Sequence, residues 1–562
     1  MRLGCAWLAL GLLLHLNLYL DLGLAADILG VFPYRLPSPF QMVRPLMRAL
    51  VERGHKVTMI TPEGYLPDIV GVRHIRVPML NRLMDDIMES DKFLDLLGNK
   101  WREGCLAATI FYNVSHAILS NEGVQRMLND KSERFDMVIL EASHLDALYG
   151  LAEFYNASLV GVSCMNVNWN IDYLAGNPAP SVYEPVSPVG FALDYSLLSR
   201  WNNWVYITEE RLLERLVFRP AQLRVFTKFF GYTAEKMSEL RDRFSLLLVN
   251  THFSMGRVRA NVPNIIEVGG LHLSEPPEPC GEELQRFMDE AEHGVIYFSM
   301  GLDILVKYLP ENLQHHLLQA FARLKQRVVW KNEIAMMPNK SRNIYVIERA
   351  PQRQVLAHPN VRLFISHGGM QSVIEAIDSG VPMLGLPLFF DQFNNLHRVQ
   401  LAGMAEVLDT NALDADTLTE TIKKLIENPS YAKRAKEMSR SFRDRPMSPL
   451  ETALWWTEYA LRHRDTSHMR LNLDEIPLMR YYRLDSVLTV GIRFACVLGS
   501  ITFLGWRLYR KRRNRQRRLR ERKRAFMEMQ MRLLHSKKKT PRIAFGFRKS
   551  PMDLLYWRFC LY

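Results

Sequence analysis

Cysteine is scarce in this sequence, with six in 562 residues. At that length six do not make a disulfide scaffold, so the fold must rest on an apolar core. Cys5 and Cys496 lie in terminal apolar runs and Cys560 near the end, leaving Cys105, Cys164 and Cys280 for the body between, where three cannot all pair. Acidic residues almost vanish after Trp506. Residues 507–562 carry 20 Lys and Arg against 3 Asp and Glu, a net of +17, while the whole chain is +13, so residues 1–506 stand at −4. The basic character therefore describes a tail and not the body. Low-complexity sequence is missing too, and 48% hydrophobic residues allow two or three domains with substantial cores.

What is present begins at the termini. MRLGCAWLALGLLLHLNLYLDLGLAAD has one early basic residue, an apolar run and small residues at Ala25 and Ala26, the pattern of a secretory signal peptide over residues 1–26, with an uncleaved anchor as the alternative. Val487 to Trp506 is 20 residues long, close to the ~20 that cross a bilayer. Arg493 interrupts it, at about 2.5 to 3.5 kcal/mol on insertion scales. The basic block from Arg507 obeys the positive-inside rule, which favours a membrane span over a buried core helix and places the tail in the cytosol. The same topology argues against a nucleic-acid partner for that block. The sequons at Asn113, Asn156 and Asn339 fit a secretory compartment.

Between the ends, short β-branched runs alternate with helical stretches. DILGVFP, HKVTMIT, FDMVILEA, SLVGVSC and SLLLVNT fill the first half; after the Pro- and acid-rich EPPEPCGEE come GVIYFSMG, RVVWKNE, NIYVIERAP, VRLFISHGG and VPMLGLPLF. Strand, helix, strand at this spacing predicts an α/β chain with two parallel-sheet domains in tandem. The expected boundaries are 27–265, 266–445, closing helices over 446–486, the span 487–506 and the tail 507–562. Open parallel sheets bind ligands beyond the carboxyl ends of their strands. That directs attention to Pro37–Pro39, Glu141, Gly301 and Leu302, Pro351 and Gln352, His367–Gly369, and Asp391 with Gln392.

The densest stretch is FISHGGMQSVIEAIDSGVPMLGLPLFFDQFNN, Phe364 to Asn395. His367-Gly368-Gly369 follows a strand and opens a helix, whose N–H groups and dipole suit a diphosphate; glycine lets the backbone approach the anion. Glu375, two turns on, can accept from ribose hydroxyls, and Asp391-Gln392 offers acceptors and an amide to a sugar.

This segment closely resembles the signature of the UDP-glycosyltransferases (UDP-glucuronosyltransferase-like), as do RGHKVTMITP, FDMVILEASHLDALYG, AGNPAPSVYEP, VIYFSMG and APQRQVLAHPNV, with insect members most alike in character. The resemblance runs to about residue 506. It implies a GT-B fold, an endoplasmic-reticulum membrane enzyme with a lumenal body, and transfer of a sugar from a UDP-sugar to a small lipophilic acceptor, with UDP-sugar as co-substrate and no cofactor. It also implies that His367, Gly368 and Gly369 hold the diphosphate, Gln371 and Gln352 touch phosphate or uridine, Glu375 the ribose, and Asp391 with Gln392 the sugar. The family uses no metal, and His315-His316 and His397 lack metal-site spacing. Homo- or hetero-oligomers are both compatible with it. Trp101, Trp169, Trp201, Trp204, Phe229 and Phe230 fit a lipophilic acceptor pocket and an ordinary core equally.

Four positions depart from the pattern. The first-loop histidine that serves the family as general base is replaced by Pro39, removing a relay worth about 10² to 10⁴ in rate. Its usual partner acid is Glu141, while Asp146 also reads as a helix-start residue. Leu302 stands where the family has a serine on phosphate, Arg349 where it has a tryptophan near uracil, and Phe390 would narrow the sugar pocket against a carboxylate-bearing sugar, while the insect-like resemblance implies glucose. Three readings follow: a transferase for self-activated nucleophiles (amine, thiol, acid); a transferase in which Glu141 or water takes the proton; or a membrane-anchored UDP-sugar-binding or partner protein.

Overall fold

The computed structural model describes residues 25–33, 37–64, 68–88, 100–177, 197–255, 259–301, 311–332, 340–388, 391–410, 412–471 and 484–537. The expectations for residues 1–24, Leu302, Asn339, Phe390 and the chain after Lys537 lie outside them. Ala26 belongs to the fold: its N–H donates to Nδ1 of His55 at 3.2 Å and its carbonyl accepts from Lys56.

The first sheet has seven strands: β1 (Asp27–Val31), β2 (Lys56–Thr61), β3 (Val72–Arg76), β4 (Met137–Glu141), β5 (Ser158–Ser163), β6 (Phe244–Val249) and β7 (Ile265–Glu267). They lie in the order 3-2-1-4-5-6-7 and every pairing is parallel. Central strands such as β4 and β6 are buried throughout, as strands covered on both faces must be. Alternate residues divide between two cores: Leu29, Val138, Leu140 and Leu247 enter one, and Ile28, Met137, Ile139 and Leu246 the other. β7 carries the first sheet two residues past the boundary drawn at 265.

The second sheet has six strands: β8 (Val295–Ser299), β9 (Arg327–Lys331), β10 (Ile344–Ile347), β11 (Val361–Ser366), β12 (Met383–Gly385) and β13 (Ala405–Val407). Their order is 10-9-8-11-12-13, again all parallel. The order reverses between β1 and β4 in the first sheet and between β8 and β11 in the second, which opens a crevice at the carboxyl ends of each pair.

The chain returns to the first sheet near its end. Ser448 and Glu451 form a capping box that starts the helix Pro449–Arg462, and Ala453, Leu454 and Ala460 of that helix enter the first sheet's core. The connection Gly269–Glu275 is held from both sides. Arg353 donates to the Leu273 carbonyl at 2.9 Å and Arg445 to that of Gly269 at 2.8 Å, while Glu275 pairs with Arg44 at 3.0 Å and Arg48 at 3.1 Å.

Residues 474–562 form a separate unit. Its described part is one helix, Leu484–Lys537, which takes in Val487–Trp506 and runs on into the basic block. By length and composition it is able to cross a membrane. In the body, Asn113 and Asn156 are both exposed.

Candidate active site

β8 and β11 end side by side, and the turn after each converges on one imidazole. Gly301 follows β8 with φ +82°, and a Cβ there would stand 2.6 Å from Cε1 of His367; a Cβ on Gly369 would stand 2.6 Å from its Nε2. The ring thus occupies a slot that exists because both neighbours lack a side chain. Gly368 has φ +93°, and its Cα packs on Leu396, where a Cβ would come within 2.4 Å of Cγ. These three glycines shape the loop expected for a diphosphate.

His367 is buried, and burial with help from the Lys331 charge lowers its pKa to about 4, against a hydrogen bond with the Ser299 backbone. At neutral pH the ring is uncharged, so it acts on an anion as a hydrogen-bond donor and not as a cation. The helix Met370–Ser379 that follows has Gly369 at its N-cap and no side-chain cap. Such a start presents backbone N–H groups and the positive end of the helix dipole.

A polar chain backs this loop. Gln352 donates from Nε2 to Glu375 Oε2 at 2.8 Å and to Ser372 Oγ at 3.0 Å, and accepts from the Tyr297 hydroxyl at 3.1 Å. The other oxygen of Glu375 lies 3.3 Å from Nε2 of His272, a buried residue on the connection between the two sheets. Glu375 is therefore held by Gln352 and faced by His272 of the connection, with carboxylate lone pairs remaining for a ligand.

Asp391 stands at the N-cap position of the helix Gln392–Leu401, without a side-chain cap bond. Asn395 donates Nδ2 to both Asp391 Oδ2, at 2.8 Å, and the Gly368 carbonyl, at 3.1 Å, so one amide ties Asp391 to the glycine loop. Burial raises the Asp391 pKa, opposed by the Asn395 hydrogen bond. Gln392 is buried and its Oε1 accepts from the Leu388 N–H at 2.8 Å; in the expectation from sequence this group faces sugar. Gln371 stands in the first turn of its helix, half-buried.

In the first sheet, Glu141 ends β4 and is 3% exposed. Burial raises its pKa to about 7, against contacts at 3.5 Å from the N–H and thiol of Cys164. Its Oε2 has no hydrogen-bond partner among the described residues. Pro39 lies in the first turn of the helix Pro37–Glu52, where proline is tolerated. Arg349 points outward, 3.5 Å from Glu278, with both side chains about two-thirds exposed at 66% and 69%. Trp169 is buried and Trp101 and Trp201 are exposed. Asp146 starts a short turn, as expected, but is buried and paired with Arg241 at 2.5 Å.

Sequence reasoning missed Tyr297, Ser372, Asn395 and His272. Asn395 carried a signal, since it follows Asp391 by one helical turn; His272 carried none.

A family model described as UDP-glucoronosyl and UDP-glucosyl transferase matches residues 31–523. UDP-glucosyltransferase 2 of Dactylopius coccus is 32% identical over 500 residues, covering 85% of this chain and 92% of that protein. The 2-hydroxyacylsphingosine 1-beta-galactosyltransferase of Rattus norvegicus is 32% identical over 486 residues, covering 85% and 86%. Among solved structures, the glycotransferase of kitacinnamycin superposes with a TM-score of 0.53 at 17% identity, covering 78% of this chain and 100% of that one. Two parallel-sheet domains of this kind are the GT-B fold.

Proposed function

This chain belongs to the UDP-glucoronosyl and UDP-glucosyl transferase family, and from that premise we propose that it transfers glucose from UDP-glucose to a small lipophilic acceptor. The observation that carries the donor reading is the slot formed by Gly301, Gly369 and His367 at the start of an uncapped helix. In this reading His367 and the N–H groups around Gly368 and Gly369 hold the diphosphate. Gln371 and Gln352 touch phosphate or uridine, Glu375 takes the ribose, and Asp391 with Gln392 takes the sugar. As the acceptor bond forms at the anomeric carbon, the bond to the β-phosphate oxygen breaks, and charge growing on the diphosphate meets donors already in place.

With proline at the first-loop position, acceptors that are nucleophilic or ionised without a base, namely amines, thiols and acids, are the ones expected to react most readily. An endoplasmic-reticulum membrane location with a lumenal body and cytosolic tail is part of the proposal, supported by the apolar helix and the basic residues after it.

The test uses the purified full chain, a panel of UDP-sugars, and acceptors grouped as alcohols, phenols, amines, thiols and acids, with His367→Ala beside the wild type. Glucosyl transfer that the variant abolishes is the expected result. A wild type that binds UDP-glucose by calorimetry and transfers to no acceptor would reduce the chain to a sugar-nucleotide-binding relative.

A further inference from the structure

Pro39 leaves hydroxyl acceptors without a base in the first loop, yet the first sheet holds another imidazole at the same crevice. His144 lies three residues beyond Glu141, in the turn after β4, where the strand order reverses. Its Nδ1 is 2.8 Å from Oε2 of Glu214, at an angle outside that of a straight hydrogen bond. The ring stacks on Phe218 with centroids 4.3 Å apart, and Phe111 and Trp169 stand at 5.9 and 6.0 Å. The imidazole is 17% exposed while the Glu214 side chain behind it is 5% exposed. An accessible ring edge among aromatic side chains suits a lipophilic acceptor.

The carboxylate behind the ring is held on purpose-built backbone. Glu214 and Phe218, which both stand against the ring, are the first and last of a π-helical turn, Glu214–Phe218, set between the helices Leu197–Leu213 and Arg219–Phe230. Single π-turns inside α-helices are rare and recur at functional sites. Oε1 of Glu214 is occupied by Arg241 at 2.9 Å and Arg219 at 3.2 Å, which leaves Oε2 to His144. Burial pushes the Glu214 carboxyl up, but Arg241, His144 and Arg219 outweigh it and hold it well below the usual range. A carboxylate kept ionised 2.8 Å from Nδ1 favours by its charge the tautomer with the proton there, leaving Nε2 to accept another.

We propose that His144, positioned by Glu214, is the general base for hydroxyl acceptors, an assignment that rests on the transferase reading above. Nε2 takes the proton of the acceptor O–H, the oxygen's electron pair forms the bond to the anomeric carbon, and the bond from that carbon to the β-phosphate oxygen breaks with its pair leaving on UDP. The proton ends on His144 as an imidazolium facing Glu214 and passes to water when the products leave. Amine acceptors, which attack through a free lone pair, do not need this step, so His144 divides acceptors by class.

The experiment compares wild type, His144→Gln and His144→Ala in the full chain, with UDP-glucose, UDP-galactose and UDP-glucuronate in turn as donors and the matched acceptors 1-naphthol and 1-naphthylamine. In His144→Gln, naphthol transfer is expected to fall by about 10²- to 10⁴-fold, with naphthylamine transfer and UDP affinity by calorimetry within a few-fold of wild type. Added imidazole is expected to restore naphthol transfer to His144→Ala. Naphthol transfer unchanged in His144→Gln, or lost equally with naphthylamine transfer, would overturn the assignment. A wild type active on naphthylamine alone would overturn it while leaving the transferase reading intact. A wild type that binds UDP and transfers to neither would overturn both.

Discussion

Gly301 faces the edge of the His367 imidazole so closely that a Cβ at Gly301 would stand 2.6 Å from Cε1 and 2.9 Å from Nε2. The backbone there is left-handed, at φ +82°, a conformation that costs a residue with a Cβ about 1–3 kcal/mol. The ring has nowhere to retreat, since Gly369 closes the other side. Gly301→Ala is therefore expected to lower stability by about that amount and to weaken UDP binding at least about tenfold as the ring is displaced. Thermal unfolding and UDP calorimetry on the same preparation check both effects.

His367 is neutral at working pH because burial outweighs its backbone hydrogen bond. A neutral donor is replaceable by another neutral donor. His367→Gln is expected to keep UDP affinity within a few-fold, while His367→Ala loses about 10- to 100-fold, the weight of a hydrogen bond to a charged group. Equal losses in the two variants would mean that a charged imidazolium had been the ligand, contrary to the burial argument.

All ten strands expected from the sequence are in the sheets. Those it did not announce are β3, β7 and β13, and each has a physical reason to be silent. β3, VRHIR, is an edge strand whose charged side chains break the apolar run, and β7 and β13 have three residues each, too few to show a period. At the candidate site Gly368, Gly369 and Glu375 stood out because they form one continuous stretch at fixed spacing, whereas Gly301 comes from the turn after β8. Tyr297, His272 and Asn395 act as supports, contributed by separate elements, and no local pattern joins them. His144 lies inside the stretch FDMVILEASHLDALYG, but Glu214, the acid that faces it, is 70 residues away on a π-turn that sequence periodicity does not reveal.

Arg241 is wholly buried between Asp146 at 2.5 Å and Glu214 at 2.9 Å and also donates to Asn170 at 3.0 Å. Removing one partner of a buried ionic cluster strands the others, at about 3–5 kcal/mol. Arg241→Met is expected to destabilise the chain by that order, read as a fall in thermal midpoint. Arg241→Lys keeps the charge but has no planar fork to reach three acceptors, and should fall between Met and wild type.

Glu141 supplies a prediction with a defined sign. Burial raises its pKa from 4.5 to about 7 in the folded chain, so between those values the folded state holds a proton that the unfolded state has released. Stability then falls as pH rises through this window, by about 1.4 kcal/mol per unit and about 3 kcal/mol in all. Glutamine has the shape of the protonated acid and never ionises. The difference between Glu141→Gln and wild type is expected to be near zero at pH 4.5 and to grow to about 3 kcal/mol in favour of the variant at pH 8, because only wild type must then bury a carboxylate whose Oε2 has no partner among the described residues. Other titrating groups cancel in the comparison, so thermal midpoints of the two proteins across that range isolate this one carboxyl. Parallel curves would show that Glu141 is solvated or paired in solution, and would return it to the ordinary carboxylate range.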